Sequence, residues 1–119
     1  SGTLRPQAAL RERWQSLPER VRHLPVPSRV ILSNRISSTH TVIEVNGRDM
    51  PGLLHRLTRT LAELGLQIQT ATVSTYGERV VDVFYVKDLF GLQVHNEARL
   101  TTIRDRLLEV FDQVGEAAE

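Results

Sequence analysis

Apolar residues recur along this chain with two different periods, and the change of period separates its elements. From Ala8 to Leu17 the residues Leu10, Trp14 and Leu17 are spaced i, i+4, i+7, which predicts a short helix interrupted by Pro18. Leu24-Pro25-Val26-Pro27 favours an extended linker, because proline restricts both itself and the residue before it, and the domain boundary is placed near Pro27. From Ser28 the period shortens. Val30-Ile31-Leu32, a polar stretch from Ser33 to Ser38, and a run from Thr39 to Asn46 with Thr41, Ile43 and Val45 on one face predict a β-hairpin. After Gly47-Arg48-Asp49-Met50-Pro51-Gly52, the residues Leu53, Leu54, Leu57, Leu61 and Leu64 form one apolar stripe. They predict a helix that begins at Pro51, has its free amides capped by Asp49 and stops at Gly65.

Leu66 to Thr75 reads as a strand whose apolar phase slips, since Leu66 and Ile68 alternate in one register and Ala71 and Val73 in the other. A bulge near Gln69 and Thr70 accounts for the slip. Past a turn at Tyr76-Gly77-Glu78, the strand Val80 to Val86 is apolar on both faces except at Asp82, which places it in the middle of a sheet. Asn96 is positioned to cap a second helix with the seam Leu100, Ile103, Leu107, Val110, Phe111 and Val114. The class is therefore α+β: a four-stranded antiparallel sheet with two helices on one face, a ferredoxin-like sandwich permuted to the order ββαββα. Residues 1–27 are the helical tail and linker, 28–115 the domain and 116–119 a frayed tail. Two helices cover one sheet face, and the doubly apolar strand implies that a second protein surface covers the other.

Composition narrows the function classes. No apolar run exceeds four residues in this 119-residue chain, against the roughly 20 of a membrane span, so the expectation is a soluble protein with no membrane partner. The lack of cysteine excludes disulfides, thiolate nucleophiles and cysteine-ligated zinc and fits a cytoplasmic location. The net charge of +1 divides into +4 over residues 1–29, which hold six arginines, and −3 over the rest. A basic tail with little aromatic interleaving is not a patterned nucleic-acid groove, and Phe84 and Tyr85 point to opposite faces of their strand, so no nucleic-acid partner is expected.

Catalytic constellations are missing. His23, His40, His55 and His95 form no i, i+4 metal pair. Gly47 and Gly52 have the spacing of a phosphate loop, but Leu53-Leu54 stand where Lys and Ser/Thr are required. The sequence contains no Gly-x-Ser-x-Gly and no paired Asp-x-Asp. The junction from Asn46 to Leu54 remains, between a strand and a helix N-terminus. Helix amides attract a carboxylate, while Asn46 and Asp49 suit an amide or ammonium, so an amino acid fits both. The same residues equally read as a plain helix start, with Gly52 allowing close packing.

Asp49-Met50-Pro51-Gly52-Leu53-Leu54, Ala71-Thr72-Val73-Ser74-Thr75-Tyr76-Gly77-Glu78 and Asp82-Val83-Phe84-Tyr85-Val86 together resemble an ACT domain. With Asn34-Arg35-Ile36-Ser37-Ser38-Thr39-His40-Thr41-Val42-Ile43-Glu44-Val45, the stretch from Ser28 to Phe111 is similar to the C-terminal ACT domain of bacterial PII uridylyltransferase/uridylyl-removing enzymes. Met50 departs from the arginine usual there. Residues 1–27 would then link to a preceding ACT domain. The resemblance implies a regulatory role inside a bifunctional enzyme. One catalytic domain of that enzyme adds UMP from UTP to the PII nitrogen-signalling protein, and an HD-type hydrolase domain removes it, both with divalent metal such as magnesium. The chain itself is expected to be the sensor portion, neither catalytic nor metal-binding and without a cofactor of its own. The resemblance further implies glutamine as effector, docked against Asn46, Asp49, Met50 and the amides of Gly52, Leu53 and Leu54, with Ile68 and Gln69 as the opposite wall. A second ACT domain, from another copy or from the preceding segment, would close the site. The alternative is a structural pairing module that binds nothing small.

Overall fold

The computed structural model describes residues 26–118, so the helix expected at 8–17 and the start of the linker lie outside the described residues. Among the described residues the order is β1 (Arg29–Ser33), β2 (Thr41–Arg48), α1 (Leu53–Glu63), β3 (Gln67–Tyr76), β4 (Arg79–Lys87) and α2 (Glu97–Ala118). Every strand pairs antiparallel with its neighbour in the spatial order β1-β2-β4-β3, which puts β2 and β4 in the centre. The connection β2-α1-β3 skips over β4, as in the split βαβ unit of ferredoxin-like folds.

Side-chain alternation divides the central strands into two faces. Ile43 and Val45 of β2 and Val80, Phe84 and Val86 of β4 meet Leu53, Leu57 and Leu61 of α1 and Ile103, Leu107, Val110 and Phe111 of α2 in one buried core. Val42, Val81, Val83 and Tyr85 lie on the opposite face, with Ile31 of β1 exposed beside them. The bulge falls where the phase slip predicts it. Ile68 pairs with Val86 and Thr70 with Tyr85, so the unpaired Gln69 returns Ala71 and Val73 to the helix-covered face.

Three boundaries differ from expectation. Strand β2 continues through Gly47 to Arg48, because these residues go on pairing with Val80 and Arg79 of β4, and a glycine at 47 leaves room for the Phe111 ring. Helix α1 starts at Leu53, two residues after Pro51. Met50-Pro51-Gly52-Leu53 is first a β-turn: the Leu53 amide donates to the Met50 carbonyl at 3.1 Å, and Gly52 has φ 80° and ψ 1°. Proline followed by a positive-φ glycine is the type II pattern. Helix α2 runs through Gly115 to Ala118, past the expected fray point, since one glycine costs a helix only about 1 kcal/mol and Glu116, Ala117 and Ala118 are good helix formers. Its start is as expected, with Asn96 Oδ1 accepting from the Arg99 amide at 2.9 Å.

The polar stretch after β1 clamps the end of the sheet opposite the α1 start. Buried Thr41 donates from Oγ1 to Asn34 Oδ1 at 2.7 Å and accepts the Val94 amide at 2.8 Å. Asn34 Nδ2 completes the ring by donating to the Val94 carbonyl at 2.7 Å. Gln93 Nε2 lies within hydrogen-bonding distance of the carbonyls of Asn34, Ser37 and His40. The β1–β2 and β4–α2 loops are thereby fixed to each other.

Candidate functional site

The residues expected at one site occupy three places. Asp49, Met50, Gly52, Leu53 and Leu54 stay together in the turn that enters α1. Its local geometry follows from Pro51, which presets one turn dihedral, and Gly52, which supplies the positive φ of the next. The Arg56 amide donates to the Gly52 carbonyl at 3.0 Å, the first helical bond. Leu53 is buried and its amide is used by Met50, which removes it from the expected carboxylate contacts. The amides of Gly52, Leu54 and His55 have no backbone acceptor among the described residues. Met50 is half-buried against the core and offers no polar group.

Asn46 is elsewhere. It pairs with Val81 on the sheet face away from the helices, and its Nδ2 donates to Glu44 Oε2 at 2.8 Å. The period of two along β2 separates it from the face that carries Val45. Ile68 and Gln69 lie at the opposite end of the sheet from the turn. Ile68 pairs with Val86, four rungs beyond Val73, and packs against the core near the last turn of α1, whereas Gln69 is exposed at the bulge. They cannot face the N-terminus of an 11-residue helix whose other end leads into their own strand.

Asp49 does not cap α1. Its amide donates to the Glu78 carbonyl at 2.8 Å, tying the end of β2 to the β3–β4 turn, and no side-chain cap bond is made at the helix start. Its charge instead acts on Asp82. Asp82 alternates with Val80 and Phe84 on the helix-covered face and is 1% exposed, and its Oδ1 has no hydrogen-bond partner among the described residues. Burial first, and then the neighbouring Asp49 carboxylate, push its pKa up to about 6. In the sequence this residue shows as the one polar position in a doubly apolar strand, a signal of a functional carboxyl that does not by itself reveal which face it occupies.

Two surface depressions lie away from this turn. One of about 210 Å³ is lined by Arg56, Arg59, Thr60, Glu63, Arg106 and Gln113, and Glu63 is already paired with Arg59 at 3.5 Å and Arg106 at 3.4 Å. Another of about 350 Å³ lies between the clamped loops, beside Lys87, Leu92 and Gln93. Among the described residues no three His, Asp or Glu side chains converge as metal ligands, and no helix is long and apolar enough to cross a membrane.

Residues 36–112 match the family model of the ACR family N-terminal ACT domain. The chain belongs to the ACT domain family. The chain is 56% identical, over 95% of its length, to part of the bifunctional uridylyltransferase/uridylyl-removing enzyme of Rhodospirillum rubrum. It is 56% identical over 93% of its length to the protein of that name from Azospirillum brasilense, and 40% identical over 98% to that of Ruegeria pomeroyi. The chain spans 12–13% of the length of these curated relatives. No solved structure matches it.

Proposed function

We propose that this ACT domain is the amino-acid-sensing regulatory module of a bifunctional uridylyltransferase/uridylyl-removing enzyme, with glutamine as its effector. In this reading glutamine sets the balance between UMP transfer to the PII protein and UMP removal, in the cytoplasm. Two catalytic domains elsewhere in the longer protein would carry that chemistry and its magnesium. Identity of 56% over 95% of the chain supports the placement within such an enzyme.

The observation that carries the sensing role is the turn entering α1. It has amides without backbone acceptors at Gly52, Leu54 and His55, the positive end of a helix dipole, and the exposed Asp49 carboxyl group in the residues that lead into it. A zwitterion needs poles of both signs at short range. Its carboxylate would take the amides and its ammonium the acidic side. Binding then stabilises whichever ACT pairing closes the site, and the affinity difference between pairings sets the size of the regulatory response. Isothermal calorimetry of the 119-residue chain with millimolar L-glutamine tests this: heat of binding that Asp49→Ala weakens supports it, and no heat in the wild-type chain overturns it.

A second reading, a structural pairing module, draws on β3. This edge strand is exposed along most of its ten residues, and such edges pair readily with another strand. Sedimentation separates the two: a dimer whose association is indifferent to glutamine favours the structural module.

A further inference from the structure

The loop that joins β4 to α2, at the end of the sheet opposite the α1 turn, turns its apolar side chains to water. Leu89 is 69% exposed, Phe90 87% and Leu92 62%. Ile36 is exposed as well, in the β1–β2 loop that Gln93 and the Thr41 clamp fasten to this one. The other exposed large apolar residues, Ile31, Leu54 and Val73, stand apart on three different elements.

Core packing does not use these side chains, and the loop is held in the one shape that presents them. Asp88 Oδ1 accepts the amides of Phe90 at 2.8 Å and Leu92 at 2.9 Å. The Asp88 amide donates to the Leu92 carbonyl at 2.8 Å, and its carbonyl accepts the Gly91 amide at 3.0 Å and Gln67 Nε2 at 2.9 Å. Gly91 supplies the φ of 79° that turns the chain back toward Asp88. The fold thus holds a phenyl ring and two leucines outward on a braced turn. Aromatic anchors fixed in advance in this way dominate the energetics of protein interfaces.

The size of the patch decides what it meets. Separate molecules that associate stably contribute about 20–30 residues a side, and these four residues on each of two copies fall far short. The same small contact suffices when its socket belongs to the same polypeptide, because a tether raises the effective concentration to about the millimolar range. The chain spans only 12–13% of the length of its curated relatives, which leaves ample protein to carry such a socket. We infer that the Leu89-Phe90-Leu92 knob docks into an apolar socket on the catalytic portion of the longer enzyme. The depression of about 350 Å³ that Gly91 and Leu92 border takes the rim of that socket. This rests on the regulatory reading above: a sensor has to touch what it controls, and a contact at this end leaves the α1 turn to its ligand.

The test puts the photoreactive p-benzoylphenylalanine in place of Phe90 in the full-length enzyme. Irradiation should join residue 90 to a peptide of the catalytic portion, with a yield that tenfold dilution of the protein does not lower. A link to residues 28–118 of a second copy, a yield that falls on dilution, or no link overturns the inference. Phe90→Ser should leave the melting temperature of the 119-residue chain unchanged, since the ring is almost wholly in water; a lowered one would make Phe90 structural and overturns the inference too. In the full-length enzyme Phe90→Ser should cut the glutamine-dependent change in the ratio of UMP transfer to UMP removal about tenfold or more, and an unaltered response overturns the docking. A wild-type enzyme that ignores glutamine overturns the sensing role instead, and the cross-link then decides the docking alone.

Discussion

The Phe111 ring of α2 lies over Gly47 of β2 so closely that a methyl group on residue 47 would overlap it. This contact sets how α2 meets the strand that ends at the turn entering α1. Gly47→Ala is expected to lower stability by about 2 kcal/mol, the usual cost of overfilling a packed core. Phe111→Leu in the same chain should recover part of the loss, and urea unfolding of the single and double variants checks both.

Gly52 poses a different constraint. Nothing lies within 4 Å of a side chain built there, yet its φ is 80°. The cost of Gly52→Ala is therefore purely conformational, about 1–2 kcal/mol. Gly52→Asn should cost less, because asparagine tolerates the left-handed region. Thermal melts of the two variants should rank them in that order.

The clamp around Thr41 predicts a local effect. Thr41→Val keeps the shape but removes the hydroxyl that joins Asn34 to the Val94 amide, leaving buried polar groups unpaired at a cost of about 1–3 kcal/mol. Hydrogen exchange at Val94 should accelerate more than exchange in α1.

Asp82 makes stability depend on pH with a definite sign. Its folded-state pKa, about 6, lies above the unfolded value of 3.8, so between those limits the native chain holds the proton more tightly than the unfolded chain. This group's contribution to stability therefore falls as pH rises from about 4 to about 6 and is level above that, a loss on the order of 2 kcal/mol. Asp82→Asn should remove the slope and be the more stable protein at pH 7 in the absence of ligand. Urea midpoints from pH 4 to pH 8 for both proteins test it.

The element order was legible because each element here obeys its own period. Leucines at helical spacing define α1, alternation defines β2 and β4, and the slip between Ile68 and Ala71 marks the bulge at Gln69. Helix α1 begins two residues later than its sequence pattern predicts, since Asp49-Met50-Pro51 is also what a capped helix start looks like and only the Gly52 dihedral distinguishes a preceding type II turn. Asn46 and Asp49 are three residues apart in sequence, and the β-strand pleat sends Asn46 to the far face. The pairing of Asp82 with Val45 and Val73 is a matter of register between distant segments, which no local pattern carries. That is why its place midway along the helix-covered face emerged only from the fold.

Chemical shifts of the ¹⁵N-labelled 119-residue chain during an L-glutamine titration test the central claim most directly. The account predicts saturable changes centred on Asp49, Gly52, Leu54 and His55, with little movement at Ile68 and Gln69. A spectrum that does not change, or changes confined to the Ile68 end of the sheet, would contradict it.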